Sequence, residues 1–179
     1  MPWIQKWRGW ALFIDGDMIV RDDVKQLFAM RDDRAAAMVV KHDYLTRNPI
    51  KYLGTPMESK NVDYPRKQWS SVVLWNCAHY ANRGLRPETV SKAETSYLHR
   101  FGWIDDDRLG SLPLTWGWLA EEYGENDNAK LIHYTCGVPA MKAYENCDHA
   151  DEWHRKLLDT LNIDGTDPLL SVARARDHT

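Results

Sequence analysis

The 179-residue chain has few cysteines, no long apolar run and little excess of charge of either sign. Its three cysteines (Cys77, Cys136 and Cys147) are an odd number without C-x-x-C spacing. They disfavour a disulfide framework or a thiolate zinc site, and favour a reducing, cytoplasmic protein. No apolar run approaches the roughly 18–20 residues of a membrane span, and the N-terminus lacks a signal-peptide apolar region. A net charge of −3 lacks the basic footprint of a nucleic-acid-binding protein, so we expect no nucleic-acid partner.

The composition indicates a folded globule. Hydrophobic residues make up 44% of the chain, and the charges are mixed, which argues against disorder. The length suits one core, and we predict a single domain over residues 1–160 and a polar tail over 161–179. Nine tryptophans are unusually many; they serve core packing or line a sugar pocket, and composition cannot separate the two.

Short apolar runs alternate with helical patterns along the chain. Such alternation is typical of an α/β protein. We predict strands over 10–14, 35–42, 70–76 and 129–135, and helices over 24–30, 88–101 and 150–161. The first strand is apolar enough for burial on both faces in a parallel sheet. Residues 44–68 carry three prolines and predict a long loop.

Two aspartates follow the first predicted strand in the stretch WALFIDGDMIV. Asp15 and Asp17 stand one residue apart, so an extended chain sends both carboxylates the same way. Such a pair suits Mg²⁺ or Mn²⁺ bound together with substrate phosphates, although many D-x-D sequences are only turns or caps. His133 ends another strand-like run, and its imidazole favours Mn²⁺ over Ca²⁺. The alternative for His133 is a hydrogen-bonded structural histidine.

A second acidic site is Asp105-Asp106-Asp107, which lies between Trp103 and an apolar run. Three adjacent acids most often form a solvated turn or a helix N-cap. One of them could instead serve a reaction centre as base, nucleophile or acceptor of a hydrogen bond from a sugar hydroxyl.

Several segments, in order along the chain, resemble glycosyltransferases of the GT-A fold, specifically the glycogenin-like retaining family. The matching segments are WALFIDGDMIVRDDVKQLF, SSVVLWN, DDDRLGSLPLTWGWL and KLIHYTCGVPA. A group of bacterial and phage glycosyltransferase-like proteins is more similar still, with V-V-K-H-D, Y-P-R-K-x-W-S-S-V, L-H-R-F-x-W and A-D-E-W segments. The matches cover most of residues 3–155.

The resemblance implies a GT-A (Rossmann-like) mixed sheet flanked by helices and a metal-dependent glycosyl transfer with retention. Asp15, Asp17 and His133 would bind Mn²⁺ or Mg²⁺ on the diphosphate of a UDP- or GDP-sugar, and the sugar would pass to a glycan or other acceptor. Asp105 and Asp106 would act at the donor sugar. Lys41 would help to hold the phosphates or the donor sugar.

The chain departs from the family pattern at three places. Gly137 matches the family's glycine and is expected to help bind the donor, but the K-P-W that follows it in the family becomes Val138-Pro139-Ala140. A phosphate-contacting lysine is thereby replaced, with Lys142 as the candidate substitute. Asp106 stands where the family has glutamine. The family's N-terminal nucleotide-binding strands are not matched, so we expect an N-terminally truncated sheet whose open edge is covered by a second copy or a partner chain.

Two other classes remain open. Haloacid-dehalogenase-like phosphatases also place D-x-D after an apolar strand, with Asp15 as nucleophile and Asp17 as acid/base, but His133 has no role there. The third class is a non-catalytic glycan-binding or assembly subunit.

Overall fold

Nine short strands form three sheets in the computed structural model, which describes residues 1–161. The strands are β1 (Trp10–Ile14), β2 (Met18–Val20), β3 (Ala37–Val40), β4 (Ile50–Lys51), β5 (Ser59–Lys60), β6 (Val72–Asn76), β7 (Leu109–Leu112), β8 (Trp118–Leu119) and β9 (Leu131–His133). With four helices among the described residues, this is a mixed α/β architecture, and the predicted class is confirmed at that level.

The largest sheet has the strand order β1-β6-β3-β7. Strand β6 runs antiparallel to β1 and to β3, whereas β3 and β7 are parallel. Strands β1, β3 and β7 therefore point the same way. Their carboxyl ends meet at one edge of the sheet, together with the amino end of β6.

The second sheet has the order β2-β9-β8 and begins directly after the D-x-D sequence. Strand β9 pairs antiparallel with β2 and parallel with β8. The chain thus leaves the first sheet at Ile14 and enters the second at Met18. Asp15, Gly16 and Asp17 form the crossing between the two sheets.

The helices are short except for the last one. They are α1 (Lys25–Ala29), α2 (Pro87–Val90), α3 (Thr95–His99) and α4 (Ala150–Leu161). Helix α4 has the predicted bounds, but the single helix predicted over 88–101 is wrong. The chain instead forms two separate short helices, α2 and α3, and neither contains a buried residue. Without an apolar face to bury, a continuous helix there has little tertiary stabilisation.

The strand over 10–14 is present, but its predicted environment is wrong. It is an edge strand with an antiparallel neighbour, and of its five residues only Ala11 is buried. Strands β3 and β9, each with a neighbour on both sides, are the ones buried throughout. A partner covering the β1 edge stays a prediction.

The predicted loop over 44–68 contains the small hairpin β4–β5. It is anchored by Glu122, whose buried carboxylate accepts hydrogen bonds from the Arg47 backbone N–H (2.7 Å) and from the Asn61 amide (2.9 Å). Because a buried carboxylate needs such donors, these contacts fix the residues on both sides of the hairpin against the segment after β8.

Apolar side chains fill the space around the sheets. Trp116, Leu74 and Leu131 are fully buried in one cluster between the two larger sheets, and Tyr134 centres another beside α4. Trp116 therefore belongs to the core. No helix within residues 1–161 has the length and apolarity needed to cross a membrane. The predicted polar tail lies outside the described residues, apart from Leu161.

Leu74 lies at the middle of β6 with no exposed surface, so Leu74→Ala should leave a cavity that the flanking strands cannot close. We expect a loss of about 2–5 kcal/mol in the free energy of unfolding. Leu45→Ala, at a side chain that is 82% exposed, is the matched control and should change it by less than about 0.5 kcal/mol. Urea denaturation of both variants checks this, and equal losses would contradict the assignment of the core.

Candidate metal centre

The candidate site forms at the crossing between the two larger sheets. Asp15 extends the β1–β6 ladder, since its backbone N–H donates to the Ser71 carbonyl at 3.1 Å. Asp17 extends the other ladder, since the Tyr134 N–H donates to its carbonyl at 3.0 Å. Each aspartate is thus held by a different sheet, and Gly16 between them is exposed.

His133 reaches the aspartates because of strand register. It ends β9 directly opposite Met18, the residue after Asp17. Its Nε2 lies 3.3 Å from an Asp17 carboxylate oxygen and 3.8 Å from one of Asp15. The three residues each offer one ligand atom, and these atoms lie within 4.8 Å of one another. The structure therefore brings together the three residues predicted to bind metal.

The two carboxylates have different electrostatic environments. Burial raises the pKa of Asp15, and the negative charge of Asp17 adds to this, against an opposing effect of His133. Burial also acts to raise the pKa of Asp17, but the hydrogen bond and charge of His133 outweigh it and lower that pKa. Asp17 therefore ionises more readily than Asp15. The free-energy cost of ionising the Asp15 carboxylate is not offset by its neighbours.

This donor set fits Mg²⁺ or Mn²⁺. A cation would relieve the repulsion between the carboxylates, and three protein ligands leave coordination positions for oxygens of a bound molecule. The imidazole favours Mn²⁺. One feature departs from common metal sites. Nδ1 of His133 is buried and has no hydrogen-bond partner in the part of the chain that the structure describes, whereas a metal-binding histidine usually donates from its second nitrogen to such a partner. Packing, with the ring only 4% exposed, orients His133 instead.

A cleft of about 360 Å³ opens at the same sheet edge. Lys41, which follows β3, lies over the Trp69 ring with its ammonium 5.5 Å from the ring centroid. Arg66 contacts the same ring at 5.8 Å. Lys41, Arg66 and Trp69 all line the cleft. The structure thus places Lys41 in an aromatic and cationic cleft, outside the aspartate–histidine cluster.

Asp105 and Asp106 lie away from that cluster. Both are exposed, at the start of a 3₁₀ turn over Asp106–Arg108. The Asp106 carboxylate pairs with Arg66 at 2.6 Å, although its side chain remains 86% exposed. The pairing attaches Asp106 to the wall of the cleft, while the ligand atoms grouped around His133 include neither residue.

Gly137 and Lys142 follow β9 and have different surroundings. A Cβ at Gly137 would lie 2.4 Å from the Tyr144 ring, so a glycine is needed here for close packing. The Tyr144 hydroxyl in turn accepts a hydrogen bond from the Leu53 N–H at 3.1 Å. Lys142 is exposed on the 3₁₀ turn that carries Tyr144. Gly137 therefore supports the loop beside the site through Tyr144.

Three polar residues beside the cluster were not predicted from the sequence. Thr135, two residues after His133, accepts hydrogen bonds from the side chains of Lys51 and Gln68. Lys51 and Gln68 both come from the segment predicted as a loop, which has no recognisable motif. The alternation of His133 and Thr135 along one strand end was the only available signal, and it does not identify their partners.

His42 is buried between the cleft and the cluster. Its Nδ1 lies 2.8 Å from the Tyr123 hydroxyl, and its backbone carbonyl accepts a hydrogen bond from the Trp69 indole at 3.0 Å. Burial, with a smaller effect of His133, lowers the pKa of His42 to about 3. The ring is therefore neutral near pH 7.

Comparison with known proteins identifies one relative with substantial similarity. Protein CDI of Arabidopsis thaliana is 38% identical over 157 residues, which span 85% of this chain and 59% of that protein. The chain thus matches only part of the relative's length, and the relative's name states no activity. No protein-family model and no solved structure matches the chain.

These findings correct the resemblance drawn from the sequence. Identification as a glycogenin-like glycosyltransferase most similar to bacterial and phage proteins is wrong, because no such family matches and the relative found is a plant protein. The matched motifs were short, and D-x-D after an apolar strand occurs in unrelated proteins.

We expect Gly137→Ala to lower stability by about 1–3 kcal/mol, because the added methyl group overlaps the Tyr144 ring. Gly84→Ala is the control, since a Cβ there meets no atom within 4 Å and should cost less than about 1 kcal/mol. Thermal and urea denaturation measure both. Unchanged stability for Gly137→Ala would show that this glycine does not serve packing.

The depressed pKa of His42 predicts an acid-dependent loss of stability. In the unfolded chain the His42 ring is protonated near pH 6.5, whereas in the folded chain it is protonated only at about pH 3. The unfolded state thus binds more protons between these values, and stability falls as the pH falls through that window. Between pH 6 and pH 4 we expect the wild type to lose about 1 kcal/mol per pH unit more than His42→Gln. Parallel curves from urea denaturation would contradict this.

Proposed function

We propose that this protein is a metal-dependent glycosyltransferase that moves a sugar from a nucleotide-sugar donor to an acceptor, with retention at the anomeric carbon. The observation that carries the proposal is the convergence of Asp15, Asp17 and His133, whose ligand atoms lie within 4.8 Å of one another. The proposal includes a GT-A-like form of the mixed sheet, with donor-binding groups at the edge where β1 and β3 end.

The three clustered residues would hold Mn²⁺ or Mg²⁺. When bound, such an ion acts as a Lewis acid that stabilises the charge on a departing diphosphate. The bond from the anomeric carbon to the diphosphate oxygen breaks, the oxygen keeps the electron pair, and a bond to the acceptor oxygen forms. The acceptor hydroxyl gives up its proton to the departing diphosphate. The products are a nucleoside diphosphate and a glycosylated acceptor.

The cleft supplies groups suited to a sugar. Trp69 offers an apolar ring surface, while Lys41 and the Arg66–Asp106 pair offer polar groups on the same wall. We assign Asp105 and Asp106 to hydrogen bonds with the donor sugar. The ion pair with Arg66 would help to keep the Asp106 carboxylate near the wall of the cleft.

A panel of UDP- and GDP-sugars with Mn²⁺ tests the proposal, with release of free nucleoside diphosphate as the measurement. We expect release from at least one donor, and a decrease of about 100-fold or more in Asp17→Ala, because this change removes a metal ligand. Asp127→Ala is the matched control, since this aspartate is exposed and outside the cluster. Mn²⁺ should also raise the melting temperature further when a nucleoside diphosphate is added.

The other two classes give different results in the same experiments. A phosphatase would hydrolyse a generic phosphate ester and lose that activity in Asp15→Asn. A non-catalytic subunit would bind glycans and release no nucleoside diphosphate from any donor. Absence of both release and thermal stabilisation across the panel would refute the transferase proposal.

A further inference from the structure

Lys51 is held next to the candidate metal centre by the backbone on either side of it. It ends strand β4, and the next residue, Tyr52, donates its N–H to the Cys136 carbonyl at 2.7 Å. Leu53 then donates its N–H to the Tyr144 hydroxyl at 3.1 Å. The turn from Lys51 to Leu53 is therefore fixed against the segment that directly follows His133.

Among the described residues, the Lys51 ammonium has one hydrogen-bond partner, the Thr135 hydroxyl at 2.7 Å. An ammonium has three donors, so two of them are available to a ligand. Within residues 1–161, no carboxylate oxygen lies within 4.0 Å of its nitrogen. The side chain is nonetheless half-buried, and burial is the main influence that lowers its pKa.

Of the three other lysines that are not exposed, Lys41 lies over the Trp69 ring, and the remaining two show what is missing at Lys51. Lys67 pairs with Asp63 at 3.5 Å, and Lys130 pairs with Asp22 at 2.8 Å. A partly buried cation is costly without an anion, and each of these two has one in contact. Two carboxylates, Asp17 and Glu122, act on Lys51 only through space. An anionic ligand in contact with the Lys51 ammonium would complete the arrangement.

We infer that Lys51 binds a phosphoryl oxygen of a diphosphate held at Asp15, Asp17 and His133, an inference that rests on the proposed function. In this arrangement the Thr135 hydroxyl holds the Lys51 ammonium on one side of the diphosphate. The aspartate carboxylates hold the divalent cation on the other side. The diphosphate then lies between two positive charges, which suits its own charge. This assignment differs from that expected from the sequence, where Lys41 and Lys142 were the phosphate-binding candidates.

Calorimetric titration with two probes tests the inference, using Mn²⁺ alone and then methylenediphosphonate at saturating Mn²⁺. In Lys51→Gln we expect Mn²⁺ affinity to be unchanged or higher, because a nearby positive charge is gone. Affinity for methylenediphosphonate should fall about 10- to 100-fold, as loss of a charge-assisted hydrogen bond predicts. Lys60→Gln, an exposed residue on the paired strand β5, is the matched control and should keep both affinities.

The outcomes separate the two proposals. Wild-type protein that binds neither probe would overturn the proposed function and this inference together. Wild-type binding with equal diphosphonate affinity in Lys51→Gln and Lys60→Gln would overturn the role of Lys51 alone.

A second measurement uses the wild-type chain, in case Lys51→Gln does not fold. Amine-reactive acylation read by mass spectrometry should show Lys51 protected by Mn²⁺ with methylenediphosphonate and Lys60 unprotected. Equal labelling of Lys51 with and without these ligands would also overturn its role.

Discussion

The repulsion between the carboxylates of Asp15 and Asp17 is the constraint around which this end of the molecule is arranged. The backbone of Asp15 is attached to the ladder of the four-stranded sheet and that of Asp17 to the ladder of the three-stranded sheet, so moving the two residues apart would break one of these ladders. His133 offsets part of the repulsion through its contact with Asp17, and Asp15 remains the group that is costly to ionise. A divalent cation bound there would remove that cost and would thereby stabilise the folded arrangement of the two sheets.

The surrounding polar groups are arranged in two sets. One set, made by Lys51, Thr135 and Gln68, lies directly beyond His133 and joins the 44–68 segment to the strand end. The other set lines the cleft around Trp69 and reaches Asp106 through Arg66. Both sets depend on the same long segment, which Glu122 anchors from the core. Positioning of that segment therefore controls which charges face a ligand.

Periodicity predicted the regular elements well where an apolar pattern was long or strongly β-branched. Helix α4 has its predicted bounds, and strands β1, β3, β6 and β9 fall within the predicted ranges. The helix over 88–101 failed because its residues bury no face, and propensity alone does not hold a helix in water. The predicted parallel pairing of the first strand was also wrong, since an apolar run such as WALFI is compatible with a parallel or an antiparallel neighbour. Short motifs misled the choice of family, because several of them describe strand ends that many folds share.

The sequence by itself determined the mixed α/β class and the three candidate metal ligands, because local alternation and the chemistry of Asp and His are readable without partners. Tertiary structure alone decided that Asp15, Asp17 and His133 converge, since this depends on the register of Met18 against His133 across more than a hundred residues. It also decided that Gly137 serves packing, that Asp106 pairs with Arg66 and that Lys51 stands beside the cluster. These are long-range contacts, and no local pattern encodes which side chain a loop residue will meet after the chain has folded.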